Sequence, residues 1–141
     1  AVEASLTGHT VVSTVHAFAA DSAHMRIALL CQKRFPIDFK TSLMQAGQAV
    51  PIVVYSHKLE NNERKIMDIS ECEILPNGDR VYHTLFRFNI TKNEIVDGRY
   101  VTEGYFEQPE IMSESLKRKL LQFGVPQEEL KKFLKKGADY K

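Results

Sequence analysis

The sequence predicts an α/β chain: a strand–helix start, an antiparallel strand meander and two C-terminal helices. Three observations lead there. Apolar residues recur at helical spacing after residue 20 and again after residue 113, β-branched and aromatic residues fill short runs between residues 51 and 106, and turn signals separate those runs. At 141 residues, 43% hydrophobic and 26% charged, the chain has the length for one compact domain, or two small subdomains, with a core.

The elements follow in order. Thr10-Val11-Val12-Ser13-Thr14-Val15-His16 is short, β-branched and preceded by Gly8, and reads as a buried strand. Asp21 or Ser22 then caps a helix to about Gln32, with Ala23, Ile27, Leu30 and Cys31 on one face. Arg34-Phe35-Pro36 breaks it, and a second helix runs from Phe39 to Ala49 with Gly47 weakening its end. Pro51 to Tyr55 opens the meander as a strand, Glu60 to Glu63 turns, and Arg64 to Ile74 alternates. Leu75-Pro76-Asn77-Gly78-Asp79 is a hairpin signal, because Asn-Gly readily supplies positive φ. Val81 to Ile90 is the return strand, with Val81, Thr84 or Leu85, Phe86 and Phe88 competing for its inner face. Asn93 to Gly98 reads as a turn and Tyr100 to Phe106 as the last strand. Ser113 caps a helix carrying Leu116, Leu120, Leu121 and Phe123, and Gly124 ends it. Pro126 suits the first turn of a final helix with Leu130, Phe133 and Leu134 as its apolar stripe. Glu128 and Glu129 lead and Lys131, Lys132, Lys135 and Lys136 trail, which complements the helix dipole.

The formal net charge of +1 gives no general attraction to nucleic acid or acidic lipid. No apolar run approaches the ~18 residues of a membrane span, and no signal-peptide pattern opens the chain. Ala1-Val2-Glu3-Ala4 reads as the middle of a helix, which implies a chain cut by processing or truncation; Gly137 to Lys141 reads as a frayed or artificial end. His9, His16, His24, His57 and His83 lack the spacing of a structural zinc site, and Cys31 and Cys72 form no Cys-x-x-Cys pair. His57 and Asp68 stand near no nucleophile elbow.

The run with chemical content is Leu6-Thr7-Gly8-His9 followed by Ser13-Thr14-Val15-His16. In α/β domains ligands collect at the carboxyl ends of strands. A histidine there can donate to a phosphate oxygen or orient a water.

This run resembles the histidine box of the type II/type IV secretion traffic ATPases, where Thr-Gly-His precedes Ser/Thr-Thr-aliphatic-His. Glu3-Ala4-Ser5-Leu6 resembles the helix before the box, and Ser22 to Ile27 the helix carrying a family arginine, here Arg26. The later strands and helices resemble the end of the tight-adherence pilus and conjugation branch, so the likeness covers about residues 1–135. Phe18 stands where the family often has Asn. The chain has no Gly-x-x-x-x-Gly-Lys-Ser/Thr loop and no Walker B carboxylate, both of which precede the box in the family.

The resemblance implies the C-terminal part of a RecA-like P-loop domain over residues 1–108 and a helical extension over 109–141. It implies ATP and Mg²⁺ as ligands of the parent enzyme and none for the fragment, which would not hydrolyse ATP alone. It implies His9 and His16 as nucleotide-sensing residues, with Thr7, Gly8, Thr14 and Arg26 around the nucleotide. It implies a hexameric ring, inner-membrane secretion or pilus platform partners, no direct nucleic-acid contact, and a cytoplasmic position at the inner face of the membrane. Two other readings compete. Cys31, Cys72 and the sequon Asn89-Ile90-Thr91 would suit a secreted disulfide-bonded β-domain for binding or adhesion, and the terminal helices over 109–141 would suit a non-catalytic docking domain.

Overall fold

The computed structural model describes residues 1–34, 36–133 and the backbone of Asp139–Tyr140. The chain is mixed α/β. Helices α1 (Val2–Leu6), α2 (Ala20–Gln32) and α3 (Phe39–Ala49) precede strands β1 (Ile52–Lys58), β2 (Arg64–Ile74), β3 (Arg80–Val96) and β4 (Arg99–Glu107). Helices α4 (Glu114–Gln122) and α5 (Gln127–Lys131) follow, then the two-residue β5 (Asp139–Tyr140). The strands form an antiparallel meander in the order β1-β2-β3-β4-β5. Two compact units result: Ala1–Val53 with Glu71–Tyr82, and Val54–Ser70 with His83–Lys141.

In the first unit α2 packs on α3, and the buried side chains of both helices are mostly small: Ala20, Ala23 and Ala28 on α2, Ala46 and Ala49 on α3. Asp38 caps α3 by accepting from the Thr41 amide at 2.9 Å. For α2 the expected cap moves: Ala19 is the N-cap, and Ser22 sits three residues in, its hydroxyl accepting from the Ala19 amide at 3.0 Å. Asp21 accepts from the Ser22 amide. The buried stripe also differs. It centres on Ala20, His24, Ile27 and Cys31, and Leu30, roughly 100° around the helix from that centre, is 50% exposed. Gly47 has a second role beyond its weak helix propensity. A Cβ there would sit 3.0 Å from Cys72 Sγ and from Ile74 Cδ1, so the bare backbone lets α3 lie close on β2.

The expected strand over Thr10–His16 is absent. Residues 9–17 carry no regular structure, and Val12 is 93% exposed. The β-branched residues keep their extended preference, but no strand among the described residues offers them a ladder, and a lone strand has no partners for its amides and carbonyls.

The hairpin at Leu75–Asp79 forms as expected: the Leu75 amide donates to Asp79 O at 2.8 Å, and Gly78 takes φ +85°. The later turn is tighter than expected. Asp97 (φ 51°) and Gly98 (φ 74°) alone reverse the chain as a two-residue loop, so Asn93 to Val96 remain in β3.

In the second unit Phe88 is buried against Phe106, with ring centroids 5.0 Å apart, and Lys65 Nζ lies 4.5 Å above the Phe88 ring. Leu85 is also buried. Residues 85 and 88 differ in parity, which is why simple alternation left the inner face of β3 unresolved. Glu110 fastens the chain after β4 to β3: its carboxylate lies 3.1 Å from His83 Nδ1, and its amide donates to Thr84 O at 3.2 Å. The buried Gln108 side chain donates to Phe133 O at 2.6 Å. Ser113 caps α4 by accepting from the Leu116 amide, and Gly124 (φ 84°) ends it. Leu116 and Leu130 are buried while Phe123 is 77% exposed. Pro126 is the N-cap of α5, immediately before its first turn; Leu134, Lys135 and Lys136 lie outside the described residues.

Gly104 on β4 has no room for a side chain. A Cβ there would collide with the Asn89 carbonyl and come within 2.6 Å of Phe88 Cζ. Gly104→Ala is expected to cost about 1–3 kcal/mol, the usual range for overpacking, seen as a lower thermal unfolding midpoint by circular dichroism. An unchanged midpoint would contradict this packing.

Candidate functional site

The Thr-Gly-His motif is the C-terminal cap of α1. The Gly8 amide donates to Ser5 O at 3.1 Å and the His9 amide to Ala4 O at 3.0 Å, with Gly8 at φ +96°. These paired bonds around a left-handed glycine form the Schellman arrangement. The Thr7 hydroxyl lies 3.1 Å from Glu3 O and 3.0 Å from Ala4 O, and donates to this pair of carbonyls. Ser5 Oγ donates to Ala49 O at 2.6 Å, which ties the short helix to the end of α3.

The cap also fixes the tautomer of His9. Its Nδ1 lies 3.2 Å from Ala4 O and 3.3 Å from Thr7 Oγ1. A carbonyl oxygen can only accept, so Nδ1 carries the proton. Nε2 is then the ring nitrogen left for a ligand. In the neutral ring it is an acceptor, suited to hold a water or hydroxyl. Only the imidazolium can donate from Nε2 to an anion while keeping both Nδ1 contacts.

The remaining expected residues are placed differently. Thr14 and His16 are exposed in the irregular segment after the cap, and Arg26 is exposed on α2. Among the described residues, the hydrogen bonds uniting Thr7, Gly8 and His9 do not extend to Thr14, His16 or Arg26. Phe18 is 89% exposed, and so in part are Met25 (42%) and Leu29 (53%) on α2.

A residue outside the expected set anchors α2 beneath this surface. His24 is fully buried, with Nε2 2.8 Å from Val50 O and Nδ1 2.9 Å from the Tyr82 hydroxyl. The Val50 carbonyl requires a proton on Nε2, so Nδ1 accepts from Tyr82 Oη–H. Arg80 Nη1 donates to the same phenolic oxygen at 3.1 Å. Burial holds the His24 pKa below its ordinary value. The Val50 bond and Asp21 oppose that shift, and Arg80 adds to it. Burial also pushes up the Tyr82 phenol and the Cys72 thiol, which hydrogen-bonds that phenol. No local motif marks His24: its partners lie 26 and 58 positions away. Its place one helical turn after Ala20 was the available signal.

The first unit also carries an open depression of about 500 Å³ lined by Lys40, Leu43, Met44, Leu75, Arg80 and Val81, none of them from the histidine run. Among the described residues no group of three or more His, Cys, Asp or Glu side chains is arranged to hold a metal ion, and no helix is long and apolar enough to cross a membrane. Cys31 and Cys72 are free thiols, so the sulphur link on which the secreted β-domain reading leans is not formed. No protein-family model matches the chain, and no curated protein sequence matches it.

The His24 environment predicts a pH dependence. Because the folded-state pKa lies below the ordinary 6.5, the unfolded chain takes up the proton first as pH falls. The stability contributed by neutral His24 is complete above about pH 6.5 and is lost progressively below it, down to the folded-state pKa. Urea midpoints measured from about pH 8 to about pH 5 should fall more steeply for the native chain than for His24→Gln, which cannot titrate. Parallel profiles would show that His24 does not carry this dependence.

Proposed function

We propose that this chain is the C-terminal part of a RecA-like ATPase of a secretion, pilus-assembly or conjugation machine, inactive in hydrolysis by itself. The observation that carries the reading is the Thr7-Gly8-His9 hook, which leaves His9 Nε2 for a ligand, followed at the motif's spacing by Ser13-Thr14-Val15-His16.

Two features support it. The segment from Thr10 to His16 has the composition of an interior strand, yet Val12 within it and Phe18 just beyond it are almost wholly exposed. A RecA-like half bearing the phosphate-binding loop would supply that strand with its ladder and cover its side chains. Met25 and Leu29 add exposed apolar surface on α2, the helix that follows.

In that setting His9 and His16 act at the γ-phosphate end of ATP. His9 accepts from the attacking water when neutral, and donates to a phosphate oxygen when protonated. Thr7 and Gly8 hold the ring of His9 in one tautomer, and Thr14 and Arg26 belong to the nucleotide-facing surface. The residues present are suited to the terminal phosphate alone; the cradle for the β- and γ-phosphates and the Mg²⁺-supporting carboxylate belong to the nucleotide-binding half of the parent. Mg²⁺, when bound, neutralises charge on the phosphates. The parent forms a homo-hexameric ring that works with platform proteins at the cytoplasmic face of the membrane.

Two measurements test the reading. In the intact parent, His9→Ala and His16→Ala should each lower kcat by about 10²–10³-fold, the size seen on losing one preorganised transition-state donor. Unchanged turnover in both would overturn the assignment. Calorimetry with Mg-ATP on the 141-residue chain should show no saturable heat, and tight Mg-dependent binding would contradict the division of labour.

A further inference from the structure

The β3–β4 hairpin has two unlike faces. Cross-strand register sets Ile95 against Tyr100, Asn93 against Thr102 and Ile90 against Gly104 on one face, continuing the Phe88–Phe106 pair. The other face sets Val96 against Arg99, Glu94 against Val101 and Lys92 against Glu103, with Lys92 and Glu94 ion-paired at 2.8 Å. Every residue from Thr91 to Tyr100 is exposed, Ile95 at 63% and Tyr100 at 46%. A two-stranded ribbon of this kind is marginal alone in water.

Its outer edge is also open. Among the described residues β5 meets β4 only at Phe106 and Glu107, so the backbone from Arg99 to Tyr105 has β3 on one side and no strand on the other. This stretch holds no proline, and the bulge of the hairpin lies on β3. Such an edge is a template for another strand.

The edge is complementary to itself. A two-fold axis perpendicular to the sheet keeps each side chain on the same face in both copies, so only residues of equal parity can oppose each other. Centred on Val101, the pairing sets Arg99 against Glu103 of the other copy twice, and Tyr100 against Thr102 twice. Centring on Thr102 sets Arg99 against Tyr105, and centring on Glu103 sets glutamate against glutamate while running into the residues β5 occupies. We propose that the β4 edge from Arg99 to Glu103 pairs antiparallel with the same edge of a second copy of this chain, about a two-fold axis through Val101. The two hairpins then form one four-stranded ribbon in which the two β4 edges satisfy each other.

Sedimentation equilibrium across about 1 µM to 1 mM tests this with charge reversals. The native chain should show a reversible monomer–dimer equilibrium. Glu103→Arg places arginine against arginine twice, and Arg99→Glu places glutamate against glutamate twice; each should weaken dimerisation about tenfold or more. Glu103→Arg also faces Lys92 within its own hairpin, so a drop in its self-association alone has two explanations. Mixing the two variants separates them: every opposed pair becomes arginine–glutamate, and a heterodimer of near-native affinity should form. The double exchange Arg99→Glu with Glu103→Arg should dimerise as well. A native chain that stays monomeric throughout, reversals without effect, or a mixture that fails to associate would each overturn the proposal.

Discussion

The first unit depends on one buried imidazole. His24 spends both ring nitrogens inside the fold, one on the carbonyl at the end of α3 and one on a phenol of β3. Around it the helices meet through alanines, which bury little area each. Close backbone approach makes α2, α3 and β2 fit, and a polar group at the centre of so small-chained a core is tolerated only when fully bonded. Tyr82 completes that bonding by giving its proton to His24 and accepting from Arg80. Removing any member leaves another buried donor or acceptor without its partner, so the group acts as one element.

The Thr-Gly-His run has a structural duty whatever its chemistry. Glycine is required because the cap turns through φ +96°. Threonine is suited because its hydroxyl reaches back to the last turn of α1. Neither fact needs a nucleotide. What the cap does not need is a histidine: its amide makes the capping bond, and any residue has an amide. With Nδ1 turned back on the cap, Nε2 is the part of the motif left for a ligand. The fixed tautomer shows what it can offer.

Sequence patterning foretold the elements wherever local chemistry decides. The Asn77-Gly78 hairpin, the Ser113 cap, the Gly124 stop and the bounds of α3 all rest on residues within a few positions of one another. It erred where the deciding partner is distant or missing. Thr10 to His16 has strand composition, but composition supplies no ladder. Asn93 reads as a turn residue, yet the positive-φ pair that begins four residues further on closes the hairpin more tightly. Leu30 reads as core until the wheel is centred on His24. Of the candidate site, Thr7, Gly8 and His9 were legible as a local turn. The relation of Thr14, His16 and Arg26 to them rests on the motif's spacing alone.

The exposed apolar surface has a pattern that separates two kinds of cause. Single exposed leucines are ordinary on a small protein. A run of strand composition that carries no regular structure, with Val12 and Phe18 almost wholly exposed, is not. The β3–β4 ribbon differs again: its strands pair with each other, and among the described residues the β4 edge beyond them is open. The first case calls for strands on both sides, as an interior position does. The second calls for one more edge of matching charge. Under the two proposals these deficits are met differently: the covering half of the proposed parent would take up the histidine segment, and the proposed second copy would take up the ribbon edge.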